Sequence, residues 1–434
     1  MKFHVATWGC QMNDHDSEKL AGLLQAEGME ATSVAAEADV ILLNTCSIRE
    51  KAVHKVYSEL GRLREEKQRR DFLIGVTGCL AQQEQEALFK RAPHVDFVLG
   101  TMALRQLPGL VAKARDGAKR VIDTAEYPDN HLFPPDVARR RSTAKALVSI
   151  VEGCNHACTF CIVPLTRGSE RSRPWQDVVA EVRGLVAAGF REVELLGQNV
   201  NSFAGGCSFP DLLERVAEVD GLEWIRFTTS HPVNFTRDLA RVLVTHPKMA
   251  PFLHLPVQSG SDPVLRRMRR EYTVADYLER LSYLGECRER LALSTDFIVG
   301  FPGETDADFE ATLRLLDQVR FDASFSFLYS PRPGTPALRL KDDIPLAVKS
   351  ERLRILQLRQ TGLTQASHER MVGRTVPVRI ESPEPVEGGH WLARTGSWKN
   401  VHLQAGPGRA LPFGELLQAR ITDAGPHFVT AELD

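Results

Sequence analysis

The chain has 434 residues, of which 43% are hydrophobic and 25% charged. These are ordinary proportions for a water-soluble globular protein, with room for two or three domains. A formal net charge of −2 excludes an overall polyanion-binding field, although a local basic groove on a neutral protein still holds RNA. No run is long and apolar enough to span a bilayer, and Met1–Thr7 opens no apolar leader. The reading is a cytoplasmic protein with no membrane partner, in a compartment where thiols stay reduced and free to ligate metal.

From residue 1 to about 125, short apolar runs alternate with helical patterns. Lys2–Trp8, Val40–Asn44, Phe72–Thr77 and Val95–Leu99 read as strands, and Asp14–Glu27, Arg49–Gln68, Gln82–Lys90 and Met102–Ala114 as helices. The alternation predicts an α/β domain with a parallel sheet. Cys10, Cys46 and Cys79 each follow the carboxyl end of a predicted strand. In an open parallel sheet those ends share the edge where ligands bind. One such cysteine is ordinarily a small buried hydrophobe, whereas three at the same topological place favour a shared metal site. Gly9 and Gly78 beside them permit close backbone approach.

Residues 126–144, with Pro128, Pro134, Pro135 and the run Arg139-Arg140-Arg141, read as a linker. The arginines suit solvent or RNA phosphates.

The first strand after the linker, Ala146–Val151, leads into Gly153-Cys154-Asn155-His156-Ala157-Cys158-Thr159-Phe160-Cys161. The spacing is CxxxCxxC, with an aromatic before the last cysteine. Three thiolates on one short loop match three irons of a 4Fe–4S cluster and leave the fourth iron open to a small molecule. Zinc ordinarily takes four ligands with a second pair downstream, and His156 lies awkwardly within the same loop. A disulfide framework does not suit a long chain without secretory signals.

Five further strands follow: Glu192–Leu196, Trp224–Thr228, Phe252–Leu255, Leu293–Val299 and Asp322–Leu328, with helices such as Gln176–Ala188, Thr236–Val244 and Asp306–Gln318 between them. Six βα units predict a partial TIM-like barrel with its chemistry at the carboxyl ends of the strands. A polar or glycine-containing loop follows each strand, including Gly197–Ser202, Thr228–Pro232, with His231, and Gly300–Thr305. Together they read as a pocket rim, although each singly is turn punctuation. Arg266-Arg267-Met268-Arg269-Arg270 is a basic run that suits solvent or an anionic ligand. A helix over Leu346–Met371 leads away. Thr375–Glu381, Gly389–Thr395, Asn400–Leu403, Glu415–Thr422 and Phe428–Leu433 then predict a small OB-like β-barrel, a fold that often binds RNA.

The CxxxCxxC loop with Phe160 resembles the radical S-adenosylmethionine (SAM) enzymes. The order of the whole chain resembles their methylthiotransferase branch. That resemblance implies an N-terminal methylthiotransferase domain (1–125), a linker (126–144), a radical SAM barrel with its trailing helix (145–371) and a C-terminal TRAM domain (372–434). It implies that Cys154, Cys158 and Cys161 hold the SAM-cleaving 4Fe–4S cluster and that Cys10, Cys46 and Cys79 hold an auxiliary one. It further implies SAM contacts at Phe160, Gln198, Asn199, Gly300, Gly303 and Glu304, and RNA contacts at Arg394, Trp398, Lys399 and Asn400. Cys207 and Cys287 match no motif position.

The runs Asn44–Ala52 and Val163–Gly168 are similar to the members that act on N6-isopentenyladenosine, although Leu165 stands where tyrosine is common. The implied reaction adds a methylthio group to carbon 2 of isopentenylated adenosine 37 in the tRNA anticodon loop. Two SAM molecules and a radical hydrogen abstraction serve it, with an electron donor such as flavodoxin or ferredoxin and a monomeric enzyme. Alternatives are a methylthiotransferase acting on threonylcarbamoyl-adenosine tRNA or a ribosomal protein, and a non-enzymatic iron–sulfur RNA-binding redox sensor.

Overall fold

The run Val40-Ile41-Leu42-Leu43 is fully buried, as a parallel strand covered on both faces must be. In the computed structural model, which describes residues 1–47, 50–127, 138, 144–406 and 409–433, it forms part of β3 (Val40–Thr45). Its companions are β1 (Lys2–Trp8), β2 (Glu30–Ala31), β4 (Leu73–Gly78), β5 (Phe97–Leu99) and β6 (Val121–Asp123). All pair in parallel, in the order β2-β1-β3-β4-β5-β6. Helices α1 (Gln11–Ala26), α2 (Glu50–Glu66), α3 (Cys79–Glu84), α4 (Ala87–Arg91) and α5 (Leu107–Arg115) cover the sheet. Ile41, Leu43 and Val76 face Val56, Leu60 and Leu63 on one side, while Val40, Leu42 and Phe97 face Leu20, Leu24 and Leu107 on the other.

Three details differ from the sequence reading. The helix expected over Gln82–Lys90 is broken, because Gln85 adopts a left-handed φ of 49° between α3 and α4. The helix expected from Met102 starts as a 3-10 turn, and α5 begins only at Leu107, with Pro108 in its first turn where no backbone N–H is required. The edge strands β2 and β6, of two and three residues, are too short to leave a period. The linker prolines and Arg139–Arg141 lie outside the described residues.

The second region holds β7 (Ala146–Ser149), β8 (Val151–Glu152), β9 (Arg171–Ser172), β10 (Glu192–Leu196), β11 (Trp224–Phe227), β12 (Phe252–His254), β13 (Ala292–Val299) and β14 (Ala323–Leu328). Two parallel sheets, β11-β10-β7 and β12-β13-β14, meet through the bridge Ile225↔Met249. They make one six-stranded wall, a partial barrel. Around it run α6 (Val163–Arg167), α7 (Trp175–Ala187), α8 (Phe209–Ala217), α9 (Arg237–Thr245), α10 (Asp262–Met268), α11 (Val274–Ser282), α12 (Asp306–Val319) and α13 (Leu346–Glu369). Several start sharply because the sequence writes capping boxes: Ser208 with Asp211, Thr273 with Asp276 and Thr305 with Asp308. No described helix is long and apolar enough to cross a membrane.

The last region is a closed barrel of β15 (Thr375–Ile380), β16 (Trp391–Thr395), β17 (Asn400–Gln404), β18 (Leu416–Ala424) and β19 (Val429–Leu433). It docks on residues at the amino ends of the large barrel's strands. Buried Arg379 donates to Glu192 Oε2 at 2.8 Å and Glu223 Oε2 at 2.9 Å, and Arg226 donates to Glu192 Oε1 at 2.6 Å. Trp398 stacks on Phe252 at 5.4 Å, with the Lys145 ammonium 4.4 Å from its ring centroid. Lys399 is buried and pairs with Asp322 at 3.3 Å.

Trp398 and Lys399 are therefore parts of the joint between the two barrels, which corrects the expectation that they face RNA. Both already hold protein partners, and burial outweighs ion pairing to lower the Lys399 pKa. Of the expected RNA residues, Asn400 is exposed and Arg394 is half-buried against Glu381.

Candidate functional site: two cysteine sets flanking one short helix

The CxxxCxxC loop leaves the wall through the antiparallel pair β8–β9. Gly153 has φ +78°, and a Cβ there would collide with the Ser169 carbonyl oxygen, so only glycine fits. Its N–H donates to Gln198 Oε1 at 2.5 Å, and the Cys154 N–H donates to the Gly168 carbonyl at 3.2 Å. Gln198 thus ties the cysteine loop to the loop after β10.

Cys154, Cys158 and Cys161 line one cavity of about 270 Å³, with Phe160, Gln198 and Asn199. The floor and far wall come from the ends of β11 to β14, including His231, Gln258, Asp296 and Phe327. This is the carboxyl-end face expected of such a barrel. Two lining residues that are not glycine, Thr229 and Gln258, hold left-handed φ values of 69° and 71°, a backbone strain that clusters at functional sites.

Three expected SAM residues are absent from this wall. Glu304 is turned inward: its Oε2 accepts the Gly300 N–H at 2.8 Å and an Arg352 Nη1–H at 2.8 Å. The Gly303 carbonyl accepts from Arg267 at 2.5 Å, and Gly300 packs against the Lys349 side chain. The loop Gly300–Glu304 is a latch onto α13. Burial raises the Glu304 pKa despite its arginine partner.

The basic run after β12 divides by burial. Arg266 and Arg269 are exposed, but Arg270 is buried. Arg270 donates to Cys158 Sγ at 3.3 Å, to the Pro256 carbonyl at 3.2 Å and to Tyr272 Oη at 3.0 Å. Its charge therefore faces the thiols. Burial pushes the Cys161 thiol up to about 12 and raises Cys154 as well.

His231 stacks on His156 with centroids 3.9 Å apart. It is held neutral by burial and by the Arg270 charge. Its Nδ1 accepts the Val233 N–H at 3.3 Å, so the ring proton sits on Nε2. Ser230 Oγ, His231 Nε2 and Tyr329 Oη belong to cavity-lining residues, are buried and have no protein partner. Buried polar atoms left this way call for a ligand or water.

Cys10, Cys46 and Cys79 also come together. Cys10 caps α1, Cys46 follows β3 and Cys79 opens α3. A hydrogen bond with Cys46 and, after the opposing effect of burial, the Arg167 charge bring the Cys10 pKa down to about 6. Cys79 is raised by burial and lies beside Cys10 and Arg167. Asn13 and Asn44 brace the group: Asn13 Nδ2 donates to Asn44 Oδ1 at 3.2 Å, and Asn44 Nδ2 to the Asn13 carbonyl at 2.9 Å. A Cβ at Gly9 would strike Asn13 Oδ1, and one at Gly78 would strike Asn44 Oδ1. Both glycines are thus spent on this bracing. Ser47 Oγ and Thr77 Oγ1, adjoining this edge, are buried without a partner.

The two sets flank α6. Val163 at its start lines the cavity. Arg167 at its end pairs with Asp16 of α1 at 2.6 Å and lies within hydrogen-bonding reach of Cys79. At 1.5 Å per residue, the five residues of α6 place those ends about 6 Å apart. Arg167 and Arg270 were missed by sequence reasoning as partners of the thiols, although both lay in runs that stood out. Among the described residues no three His, Cys, Asp or Glu side chains gather closely enough for a single metal ion. Cys154, Cys158 and Cys161 instead border the cavity, whereas Cys10, Cys46 and Cys79 sit close together, with Cys46 and Cys79 buried. Cys207 and Cys287 lie outside the cavity lining.

Comparison with known proteins is consistent along the whole chain. Residues 2–100 match the model described as Uncharacterized protein family UPF0004, and residues 148–316 match the Radical SAM superfamily. The chain is 49% identical to a tRNA-2-methylthio-N(6)-dimethylallyladenosine synthase of Anaeromyxobacter dehalogenans, covering 98% of this chain and 92% of the relative. It is 47% identical to the synthase of that name from Alkalilimnicola ehrlichii, covering 100% and 97%. In fold it is similar to the radical S-adenosylmethionine methyltransferase TsrM of Kitasatospora setae, at a TM-score of 0.59 and 16% identity over 77% of this chain and 76% of that one. With near-half identity over essentially the whole length, the chain belongs to the tRNA-2-methylthio-N(6)-dimethylallyladenosine synthase family of the radical SAM superfamily.

Proposed function

We propose that the protein is a radical SAM methylthiotransferase that adds a methylthio group to carbon 2 of N6-dimethylallyladenosine 37 in tRNA. The observation that carries this reading is the pair of cysteine sets flanking α6, one of them in a cavity with three unpartnered buried polar atoms. The donors suit iron–sulfur clusters: soft thiols gathered in threes, one set bordering a cavity, with a buried arginine against each set. Cys154, Cys158 and Cys161 would hold one 4Fe–4S cluster with SAM on its open iron, and Cys10, Cys46 and Cys79 a second. When bound, these groups supply radical and sulfur chemistry at a carbon that is neither acidic nor activated for ordinary acid–base catalysis.

The chain's own residues provide binding, orientation and dryness. Gln198 fixes the cysteine loop through Gly153. Asn199 donates to the His156 ring and to Asn234 Oδ1 at 3.1 Å, which sets the stacked histidine pair. His231 Nε2–H, Ser230 Oγ and Tyr329 Oη offer polar contacts to SAM or the base, and Phe160 a flat apolar one. An anticodon-loop base is unpaired and can be splayed into such a pocket.

The domain assignment is 1–125, 126–144, 145–371 and 372–434, the last as a TRAM domain presenting Arg394 and Asn400 to RNA. The enzyme acts in the cytoplasm, as a monomer served by a small electron-transfer protein. The test is iron and acid-labile sulfide content after anaerobic reconstitution, with nucleoside analysis of tRNA from a deletion strain carrying the gene. About eight irons in the wild type and about four in a Cys10/Cys46/Cys79→Ala variant are expected, with the 2-methylthio nucleoside restored only by the wild type. Four irons in both proteins, or no restored nucleoside, overturns the reading.

A further inference from the structure

Residues on a barrel strand alternate between the helix layer and the lumen. Phe325 and Phe327 on β14 pair in register with Asp296 and Ile298 on β13, so all four turn to one face. Asp296, Ile298 and Phe327 line the thiol-bearing cavity, which makes that face the lumen. At the other edge of the wall, Leu147 and Leu196 are covered by Met12 and Cys10 of the N-terminal domain. Among the described residues Phe325 and Phe327 have no such cover from the N-terminal domain and are 52% and 38% exposed, with the His254 ring edge-on to Phe325 at 5.9 Å. Two neighbouring phenyl rings left wet beside a cavity mark a binding surface more than a packing one.

We infer that Phe325 and Phe327 form the wall that receives the branched five-carbon N6 substituent of the target adenosine, and so set the enzyme's preference for prenylated RNA. The inference rests on the function proposed above, which supplies the dimethylallyl group. That group has no hydrogen-bond donor or acceptor, so its natural partner is an apolar surface that loses water on contact. In adenine, C2 and C6 flank N1, and C6 bears N6. A base that turns C2 toward the thiol end of the cavity directs its N6 substituent along an adjoining wall.

The same wall disfavours a charged substituent. The Asp296 carboxylate, 3.5 Å from His254 Nε2, sits beside Phe325 in the register. A substituent ending in a carboxylate, as threonylcarbamoyl does, would have to shed water from that charge against two phenyl rings. Selection through the cost of desolvating a charge would thus accompany selection by fit.

The experiment is a competition. Reconstituted holoenzyme receives an equimolar mixture of two anticodon stem-loop RNAs, one carrying N6-dimethylallyladenosine and one unmodified adenosine at position 37. The ratio of methylthiolated products gives the ratio of kcat/KM values, which does not depend on the fraction of enzyme loaded with clusters. The wild type is expected to favour the prenylated RNA. Phe325→Ser/Phe327→Ser is expected to lower that preference by about 10- to 100-fold, the range for removing contacts to a small apolar group. The single variants should fall between, and Phe325→Leu/Phe327→Leu should retain most of the preference. An unchanged ratio in the serine variants, or no preference in the wild type, overturns the inference while leaving the methylthiotransferase reading intact. Absence of methylthiolated product from both RNAs with cluster-loaded wild type overturns that reading itself.

Discussion

Arg167 and Asp16 form a buried ion pair, Nη2 to Oδ2 at 2.6 Å, between α6 of the barrel and α1 of the N-terminal domain. Beside it stands the Cys79 thiol. A second pair, Lys19 with Glu152 at 3.1 Å, crosses the same boundary. The interface that brings the two cysteine sets together is therefore held by charge as well as by apolar contact. Removing one member strands the other in a dry setting, and breaking a buried pair costs about 3–5 kcal/mol. Asp16→Ala and Arg167→Ala are each expected to lower unfolding stability by about that amount, and the double variant by less than their sum. Denaturant melts of the three variants check this.

Arg270 donates to Cys158 Sγ and is buried with it. Hydrogen bonds and charge at the ligand sulfur tune a cluster's potential. Arg270→Gln is expected to make the potential of the cluster at that site more negative by roughly 60 mV, equivalent to a tenfold change in a one-electron equilibrium. Redox titration followed by electron paramagnetic resonance on the reconstituted protein checks it. An unchanged potential would mean that the guanidinium serves packing alone.

Gly153 holds a left-handed φ immediately before Cys154, with the Ser169 carbonyl where a side chain would go. Gly153→Ala should displace the loop, at a cost of about 1–2 kcal/mol from backbone strain, with the Ser169 clash added to it. Bound iron should fall to about four per chain, with the N-terminal set still loaded.

Asp322 closes the joint between the barrels. Burial by itself would raise its carboxyl, but the Lys399 ammonium, the Ser367 hydroxyl and the Leu293 N–H together hold it below the usual carboxylate range. The Lys399 pKa runs downward too, because burial outweighs the raising effect of Asp322, so the pairing favours both charges and it is burial that opposes the ammonium. A depressed carboxylate contributes stability that is present above the unfolded pKa and is lost as pH falls through the folded value. The joint should therefore weaken below about pH 4. In Asp322→Asn that part of the acid dependence should vanish, leaving a flatter plot of melting temperature between about pH 3 and pH 5.

Much of this molecule was legible because its signals are local. Buried parallel strands write runs such as Val40–Leu43, and cysteines placed just after such runs must land on one sheet edge. The CxxxCxxC spacing needs no partner elsewhere to be recognised, and the five C-terminal strands announce themselves by alternation.

What the sequence left open depends on which surface meets which. Gly300–Glu304 looks like a ligand loop on its residues alone, yet Arg352 and Lys349 of a later helix claim it. Trp398 and Lys399 have the chemistry of RNA contacts, and docking of the small barrel turned them inward onto Phe252 and Asp322. Asp16 and Arg167 stand 151 positions apart, so no period or spacing links them. Sequence by itself determined the strands, the thiols and the face they occupy, because backbone geometry and short spacings act within a few residues. Only the tertiary structure decided which arginine stands against which thiol and which aromatic rings stay uncovered, because charge pairing and burial act between surfaces brought together from distant parts of the chain.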